Sequence, residues 1–366
     1  MRRILLFAGL ILGVWATCAV QSRGDTPLKR WVIAPPITGV YTGASGGAKS
    51  NEGSCAGLSR AVGETMQFCN VQYSIDDLPD LLTDGKATAM AAAGTIPVVT
   101  LGCKGDGTPD APGHRGFSSI AAGSEDSSLK QDAQALKAYA AEFPKNPWIM
   151  MRPFHEFNLN IGNPRGNPNK NNCYSMPETL STMQEEFKAA YRHVVTTFAS
   201  AGVTNVTWVW CPAVGPVTWE KYGGDDILRG FYPGDAYVDW TCGDMYDKPA
   251  PGGGVARTFQ HINVFAQFHK PVIIAETGEC NSDMPRSPRC EGYTVMQSAF
   301  IADLKTALGP GGSLASSGIK AWLYFDQSVP HSGFNWSLDA AGLEAFRALI
   351  TTPYFHPPVP RPRWTE

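Results

Sequence analysis

Short apolar runs alternate along the chain with longer stretches whose apolar residues recur at helical spacing. Eight of these runs are rich in β-branched and aromatic residues, and several are apolar throughout, as expected for strands covered on both faces. The runs cover residues 31–41, 66–73, 95–101, 148–153, 206–210, 237–242, 271–275 and 319–325. Their alternation with helices indicates βα units around a parallel sheet. Eight such units predict a single (β/α)8 TIM barrel.

The predicted helices lie between the strands. Apolar stripes at a spacing of three and four residues mark residues 129–143, 183–198, 259–268 and 296–308. Pro144 ends the first stripe and Gly202 ends the second, while Ser175 and Glu178 form a capping-box pattern before the second. We expect these stripes to face the core and to carry no function.

Long loops are predicted on the C-terminal face of the barrel. They are the segments 43–63, 104–124, 159–176 and 279–293, which follow predicted strands and are too long for tight turns. Active sites of such barrels lie at the C-terminal ends of the strands, so we expect these loops to surround the site. A catalytic domain over residues 27–356 accounts for all the units, and a Pro-rich tail follows at residues 357–366.

The first residues of the chain resemble an export signal. Arg2 and Arg3 precede an apolar run at residues 4–16 that is short for a membrane span, and small residues follow it. The pattern predicts a signal peptide over residues 1–19, with a retained membrane anchor as the alternative. We therefore expect a secreted protein, extracellular or periplasmic, whose mature form is not bound to a membrane.

Charge and cysteine content narrow the class of protein further. The formal net charge is −3 and 17% of the residues are charged, so no basic surface for nucleic acid is predicted. Eight of the nine cysteines lie beyond the signal segment, an even number that favours disulfides in an exported chain. Only the pairing of Cys280 with Cys290 is predicted, while Cys69, Cys211 and Cys242 are also compatible with buried thiols. We expect a monomer.

Two glutamates follow apolar strands on opposite parts of the predicted barrel. Glu156 comes just after the fourth strand and Glu276 just after the seventh, so both side chains can point across one barrel mouth. Glycoside hydrolysis requires one protonated and one ionised carboxyl group, and a separation of about 5 Å allows the second to attack the sugar directly. From strand position alone, two unrelated loop carboxylates explain the pattern equally well. Glu279 is a rival to Glu276 but lies farther from the strand end.

The residues around both glutamates resemble glycoside hydrolase family 26, in which endo-β-1,4-mannanases predominate. The likeness is carried by Arg152-Pro153-Phe154-His155-Glu156-Phe157-Asn158 and by Ala275-Glu276-Thr277-Gly278. Residues 206–212, 232–240 and 243–247 also match, as does Trp322 on the eighth strand. Strands four to eight match well and strands one to three only loosely, and Phe157 replaces a methionine of the family motif.

The resemblance implies a retaining mechanism with Glu156 as the acid/base and Glu276 as the nucleophile. It also implies that Arg152 and His155 orient and tune the site. Asn158 would bind sugar hydroxyls or hold the loop that carries the acid/base residue.

Three aromatic residues are further candidates for the site by the same resemblance. Tyr246 would donate a hydrogen bond to the nucleophile, and Trp322 would form the hydrophobic platform under the sugar. Core packing is the alternative for both, and for Trp210 it competes evenly with substrate contact. Residues 159–163, which follow the acid/base motif, lack the aromatic cluster usual in family mannanases.

The predicted partner is therefore a β-linked plant or fungal polysaccharide, with β-1,4-mannan favoured. A xylanase or a mixed-linkage β-glucanase on the same barrel remains open, as does a non-catalytic carbohydrate-binding barrel. No cofactor is expected. The His155-Glu156 pair does not continue into the helical zinc motif, because that motif needs a histidine where this chain has Leu159.

Overall fold

Eight strands form a closed parallel barrel in the computed structural model of this chain. The structure describes residues 28–45, 54–103, 115–161, 173–174, 179–216, 219, 223–246, 253–281, 290, 295–329, 333–359 and 362–365. The barrel strands are β1 (Tyr41–Ser45), β2 (Phe68–Ser74), β3 (Ile96–Gly102), β4 (Ile149–Pro153), β5 (Val206–Trp210), β6 (Trp240–Tyr246), β7 (Val272–Gly278) and β8 (Ile319–Phe325). Each strand pairs with its successor, and β8 pairs with β1. The predicted (β/α)8 barrel is confirmed.

Helices cover the outside of the barrel. The α-helices are α1 (Ser54–Val62), α2 (Asp80–Thr83), α3 (Lys86–Ala93), α4 (Phe117–Ala121), α5 (Asp126–Glu142), α6 (Leu180–Ser200), α7 (Asp225–Phe231), α8 (Val255–Thr258), α9 (Gln297–Leu308) and α10 (Ala340–Ile350). Short 3-10 helices cover Phe157–Asn160, Ile262–Phe268 and Pro353–Phe355. The first, second and fourth predicted stripes correspond to α5, α6 and α9. The predicted capping box before α6 lies outside the described residues, and Thr179 caps that helix by accepting a hydrogen bond from Thr182 N.

Strand boundaries differ from prediction mainly at the first strand. Most of residues 31–41 is not in the barrel, and β1 extends instead from Tyr41 to Ser45. Pro35 and Pro36 interrupt the apolar run, because proline has no N–H to give to a sheet. The separated piece Trp31–Val32 pairs antiparallel with Arg363–Trp364, so the Pro-rich tail returns to the N-terminal end of the barrel.

Side chains of the strands fill two separate apolar layers. Alternate residues point into the barrel, where Ile273, Ala275 and Leu323 belong to one buried cluster. Their neighbours Ile274 and Trp322 point outward and pack in the larger cluster beneath the helices. Both faces of every strand are therefore buried, which explains why the strands read as continuous apolar runs.

The parity of a residue along its strand decides which way it points, except where a strand is irregular. In β7 the register shifts between Ile274 and Glu276, so Glu276 turns inward and reaches Asn70 although it has the parity of Ile274.

Disulfides link neighbouring segments of the barrel. Bonds join Cys55 to Cys69, Cys211 to Cys242 and Cys280 to Cys290, and Cys103 is also disulfide-bonded. The predicted Cys280–Cys290 pair is confirmed. The alternative that Cys69, Cys211 and Cys242 are free thiols is wrong. Neighbouring parallel strands bring Cys211 and Cys242 together, and α1 brings Cys55 against Cys69 of β2.

The predicted long loops lie only partly within the described residues. In the loops after β3 and β4, the short strands Arg115–Gly116 and Cys173–Tyr174 pair with each other. After β8, Ser328–Val329 pairs with Phe334–Asn335 in a small hairpin. The predicted signal peptide lies outside the described part of the chain. No helix within that part is long and apolar enough to cross a bilayer.

Candidate active site

The turn after β4 holds Glu156 in an uncommon backbone conformation. Phe154 and Glu156 have φ angles of +55° and +53°, in the left-handed region that bulky residues rarely adopt. The Phe154 ring is buried against Phe117 and Phe187, with centroid distances of 5.4 and 6.2 Å. Phe154 N donates to Leu101 O of β3 at 2.8 Å, and Glu156 N donates to the carbonyl of Cys211 at 2.8 Å. Packing and hydrogen bonds on both sides of the turn therefore hold the backbone that presents Glu156.

Asn158 joins this turn to the segment after β5. Its Nδ2 donates to Ala213 O at 2.8 Å, and its Oδ1 accepts from Ala213 N at 2.9 Å. The side chain is fully buried. Of the two expected roles, sugar binding and support of the acid/base loop, the geometry provides the second.

Glu276 lies within β7, where the strand extends beyond its predicted end. Tyr246 Oη donates to its Oε2 at 3.1 Å, and Asn70 Nδ2 donates to its Oε1 at 3.4 Å. Arg152 Nη2 forms a close hydrogen-bonded ion pair with the same Oε1, and His155 Nε2 lies 3.9 Å from it. The carboxylate is almost fully buried and is surrounded by donors, an environment suited to an anion.

Arg152 is the central cation of the site. Its Nη1 donates to both carboxylate oxygens of Asp244, at 2.9 and 2.8 Å, and its Nη2 reaches Glu276. Burial by itself would lower the pKa of this fully buried guanidinium, but the charges of Asp244 and Glu276 outweigh it and raise the pKa. One fixed positive charge is therefore shared between two carboxylates from neighbouring strands β6 and β7.

Tyr246, the last residue of β6, is the second fixed donor to Glu276. Burial raises its pKa well above the usual range, and the nearby charges of Glu276, Asp244 and Glu156 raise it further. The phenol is therefore neutral and able to donate over the whole pH range in which the protein would work. The charge of Glu156 acts on both Tyr246 and Arg152, which places the two candidate catalytic carboxylates in one electrostatic neighbourhood.

Trp210 does not lie at the barrel mouth. It is fully buried between the barrel and the helices, and its ring lies 5.0 Å from Phe268 and 5.6 Å from Phe157. The expectation that it contacts substrate is wrong.

The same correction applies to Trp322. It points away from the barrel axis and packs 5.7 Å from Phe346 of α10, because Ala321 and Leu323 are the inward residues of β8. Trp322 therefore forms part of the core and not a sugar platform. In a strand buried on both faces, the sequence does not reveal which parity faces inward.

Other aromatic residues lie beside Tyr246, the donor to Glu276, and were not predicted from the sequence. The Tyr246 ring lies 4.8 Å from Trp336, which stacks on Phe334 at 5.2 Å with an interplanar angle of 18°. Trp336 packs in one cluster with Phe325 and the Cys280–Cys290 disulfide. The aromatic residues next to Tyr246 therefore come from the hairpin after β8 and the residue that follows it. Position after a strand end was the only signal that could have identified it.

Three polar residues of β1 to β3 were also missed. Ser45, Asn70 and Thr100 are buried, and their side chains form hydrogen bonds with one another below Glu276. Asp244, the partner of Arg152, belongs to the same group of residues that sequence reasoning did not single out. Each is a polar residue in an otherwise apolar strand, which is the signal that could have identified them.

Among the described residues of the site, His155, Asp244 and Glu276 are potential metal ligands, and their ligand atoms lie within 4.8 Å of one another. The guanidinium of Arg152 already bonds to both of these carboxylates. A cation placed between them would be repelled by that fixed charge, so the donor set does not fit a metal ion.

The fold is shared with solved structures of mannanases. The endo-β-1,4-mannanase of Cellulomonas fimi, solved as a double mutant, superposes with a TM-score of 0.60 at 17% identity over 87% of this chain and 71% of that one. The GH26 domain of a Prevotella bryantii endo-β-mannanase/endo-β-glucanase gives 0.58 at 14% identity, over 87% and 91%. Bacillus subtilis mannanase BCman gives 0.55 at 18% identity, over 84% of each chain.

Sequence comparison adds one relative of known name. Endoglucanase H of Acetivibrio thermocellus is 32% identical over 164 residues, which make up 42% of this chain and 16% of that protein. The chain thus matches only a small part of that protein's length. No family model matches the chain. The structural neighbours include family 26 mannanases, and the resemblance to glycoside hydrolase family 26 that the sequence predicted is confirmed at the level of the fold.

Proposed function

We propose that this chain is a retaining β-glycoside hydrolase with Glu156 as the acid/base and Glu276 as the nucleophile. The observation that carries the proposal is the environment of Glu276, a buried carboxylate held by Arg152, Tyr246 and Asn70 at the end of a barrel strand. Glu156, on a constrained turn three strands away, acts electrostatically on the same Arg152 and Tyr246. A general acid and an anionic nucleophile facing one cleft are the two groups that retaining hydrolysis requires.

The proposed reaction has two steps. In the first, Glu156 gives its proton to the glycosidic oxygen while Glu276 attacks the anomeric carbon, so the C–O bond to the leaving sugar breaks and a glycosyl-enzyme forms. In the second, Glu156 takes a proton from water, which displaces Glu276 and releases the sugar with retained configuration. Arg152 and Tyr246 would hold the carboxylate of Glu276 in the orientation for attack.

The favoured substrate is β-1,4-mannan, cleaved within the chain. Support comes from the structural neighbours, several of which are named mannanases. The relative named endoglucanase and the Prevotella neighbour named as both mannanase and glucanase make β-glucan the second candidate. Xylan remains a third candidate. The Tyr246–Trp336–Phe334 cluster would supply the apolar surface against which sugar rings pack.

We further propose that the protein is secreted, to the extracellular space or the periplasm. We also propose that it acts as a monomer that binds no nucleic acid, is not bound to a membrane in its mature form and needs no cofactor. The disulfides are compatible with an oxidising compartment. The N-terminal signal pattern supports the same location.

A reducing-sugar assay on soluble mannans, xylans and mixed-linkage β-glucans tests the activity, and NMR of the first product anomer tests retention. We expect Glu276→Ala to abolish turnover while the protein stays folded. The matched control is Glu279→Gln, since Glu279 is a buried glutamate just beyond the same strand, and its Oε1 accepts from the following backbone N–H of Cys280. Full activity of Glu276→Ala would refute the assignment. Binding of polysaccharide without hydrolysis by the wild type would identify a non-catalytic barrel.

A further inference from the structure

Asn70 of β2 lies between the candidate nucleophile and two hydroxyl side chains. Its Nδ2 donates to Ser45 Oγ at 2.6 Å and to Glu276 Oε1 at 3.4 Å. Its Oδ1 accepts from Thr100 Oγ1 at 2.9 Å. The side chain is almost completely buried, so both ends of its amide are committed within the barrel.

These contacts complete a closed ring of hydrogen bonds. Arg152 Nε donates to Thr100 Oγ1, Thr100 donates to Asn70, Asn70 donates to Glu276, and Arg152 Nη2 bonds to Glu276. The ring members come from β2, β3, β4 and β7, so it spans the interior of the barrel just below the proposed site. Asn70 and Thr100 lie on the strands where the family resemblance was loosest.

The directions of the bonds in the ring are determined by Arg152 and Glu276 together. Arginine has only donors, so Thr100 Oγ1 accepts from it, and an ionised carboxylate has only acceptors, so Asn70 turns its NH2 group toward Glu276. The amide oxygen of Asn70 then faces Thr100 and accepts the hydroxyl proton of that residue. The orientation of this amide is thus determined by the network and not by a choice between two equivalent flips.

We infer that Asn70 is a positioning residue for Glu276, and that Thr100 acts through Asn70 by orienting its amide. The inference rests on the proposed function of Glu276. Arg152 and Asn70 hold Oε1 from two directions while Tyr246 bonds to Oε2. Loss of Asn70 would leave Oε1 held from one direction only, so the carboxylate could shift away from the line of attack on the sugar.

Buried polar residues also occur in barrels for stability alone, so the experiment must measure a quantity that a change in stability alone would leave unchanged. Wild type, Asn70→Ala, Thr100→Val and Thr100→Ser are compared on the polysaccharide that the wild type cleaves. Both kcat and KM are measured, together with the rate of labelling by a fluorinated glycoside that traps the covalent intermediate. Thr207→Val is the matched control, because Thr207 is an equally buried threonine whose Oγ1 accepts from Ile33 N near the other end of the barrel.

We expect Asn70→Ala and Thr100→Val to lower kcat and the labelling rate by about 10- to 100-fold with little change in KM, since small misplacement of a reacting group has effects of this size. Thr100→Ser keeps the hydroxyl and should retain the wild-type kcat, as should Thr207→Val. If Asn70→Ala fails to fold, the Thr100→Val and Thr100→Ser pair decides the question. Equal kcat in that pair would overturn the inference, and so would wild-type kcat in folded Asn70→Ala. The proposed function would still stand in either case if Glu276→Ala is inactive. An active Glu276→Ala would instead remove the proposed function itself.

Discussion

The two ends of the barrel each contain a buried arginine, but the two arginines have different amounts of negative charge around them. At the N-terminal end, Arg30 forms a bidentate pair with Asp239, at 2.9 and 2.8 Å. Asp239 also accepts from Trp208 N at 2.8 Å. One cation therefore meets one anion, and the remaining acceptor capacity of the anion is used by backbone.

At the C-terminal end, one arginine serves several acids. Arg152 bonds to Asp244 and Glu276, and Glu156 lies close enough to raise its pKa as well. Among the described residues, one fixed cation at the C-terminal end is therefore shared by two carboxylates, whereas the pair at the N-terminal end is one to one. A one-to-one pair is sufficient to satisfy a buried charge, so the clustering of acids around Arg152 is not explained by folding alone. Clustered buried acids are an expected property of a catalytic site.

Replacing each arginine should separate its effect on stability from its effect on activity, and this is the largest effect we predict. Arg152→Met and Arg30→Met should each lower the free energy of unfolding by about 3–5 kcal/mol, because each leaves a buried carboxylate unpaired. Only Arg152→Met should also lower kcat, by about 100- to 1,000-fold, since it removes a donor to the nucleophile. Urea unfolding and kcat per folded molecule measure the two effects. Equal kcat in the two variants would mean that the site does not depend on the charge of Arg152.

The tyrosines at the two ends allow a finer comparison. Tyr246→Phe removes the donor to Glu276 Oε2 and should lower kcat by about 10- to 100-fold, the range expected for one charge-assisted hydrogen bond. Tyr41→Phe removes a hydrogen bond to Ala34 O at the N-terminal end of the barrel and should leave kcat unchanged.

Comparison of Tyr246→Phe with wild type also tests how kcat depends on pH. Because burial raises the pKa of Tyr246 well above its usual range, its hydroxyl should remain protonated at every working pH. The alkaline limb of the profile of kcat against pH should therefore be the same in wild type and Tyr246→Phe. Disappearance of that limb in the variant would show that Tyr246 itself titrates.

Disulfides inside and outside the barrel should differ in their effect on activity. The Cys211→Ala/Cys242→Ala and Cys55→Ala/Cys69→Ala variants open loops of 31 and 14 residues, and each should lose about 3–4 kcal/mol of stability. The Cys211→Ala/Cys242→Ala variant should also lose about tenfold in kcat, because the carbonyl of Cys211 accepts from Glu156 N. Added freedom of the backbone at residue 211 would shift Glu156 from its position. Retained kcat in the first variant, measured below its unfolding transition, would contradict this link.

The sequence predicted the parts of the site that depend on position along a strand. The position of Glu276 follows from a strand that ends in a polar residue, since parallel strands bring their ends together, whereas Tyr246 was a candidate through the family resemblance. Parity was not predictable in strands that are apolar throughout, which is why Trp322 was assigned to the wrong face. Asn70 and Thr100 were missed because their roles arise only when distant strands close into a barrel, where Asn70 meets a residue 206 positions away.

A partly exposed ion pair on the surface should contribute the smallest change in the free energy of unfolding. His193 of α6 lies 2.6 Å from Asp126 of α5, and both side chains are partly exposed. The hydrogen bond from His193 lowers the pKa of Asp126, so the pair stabilises the fold above the unfolded-state pKa of aspartate and the gain is lost as pH falls through the folded value. Asp126→Asn should therefore lower the free energy of unfolding by less than about 1 kcal/mol at pH above 5, with no difference from wild type at strongly acid pH, and added salt should shrink the effect. Urea unfolding of both proteins across pH measures it. A loss as large as that of Arg30→Met would mean that burial does not set the strength of ion pairs in this protein.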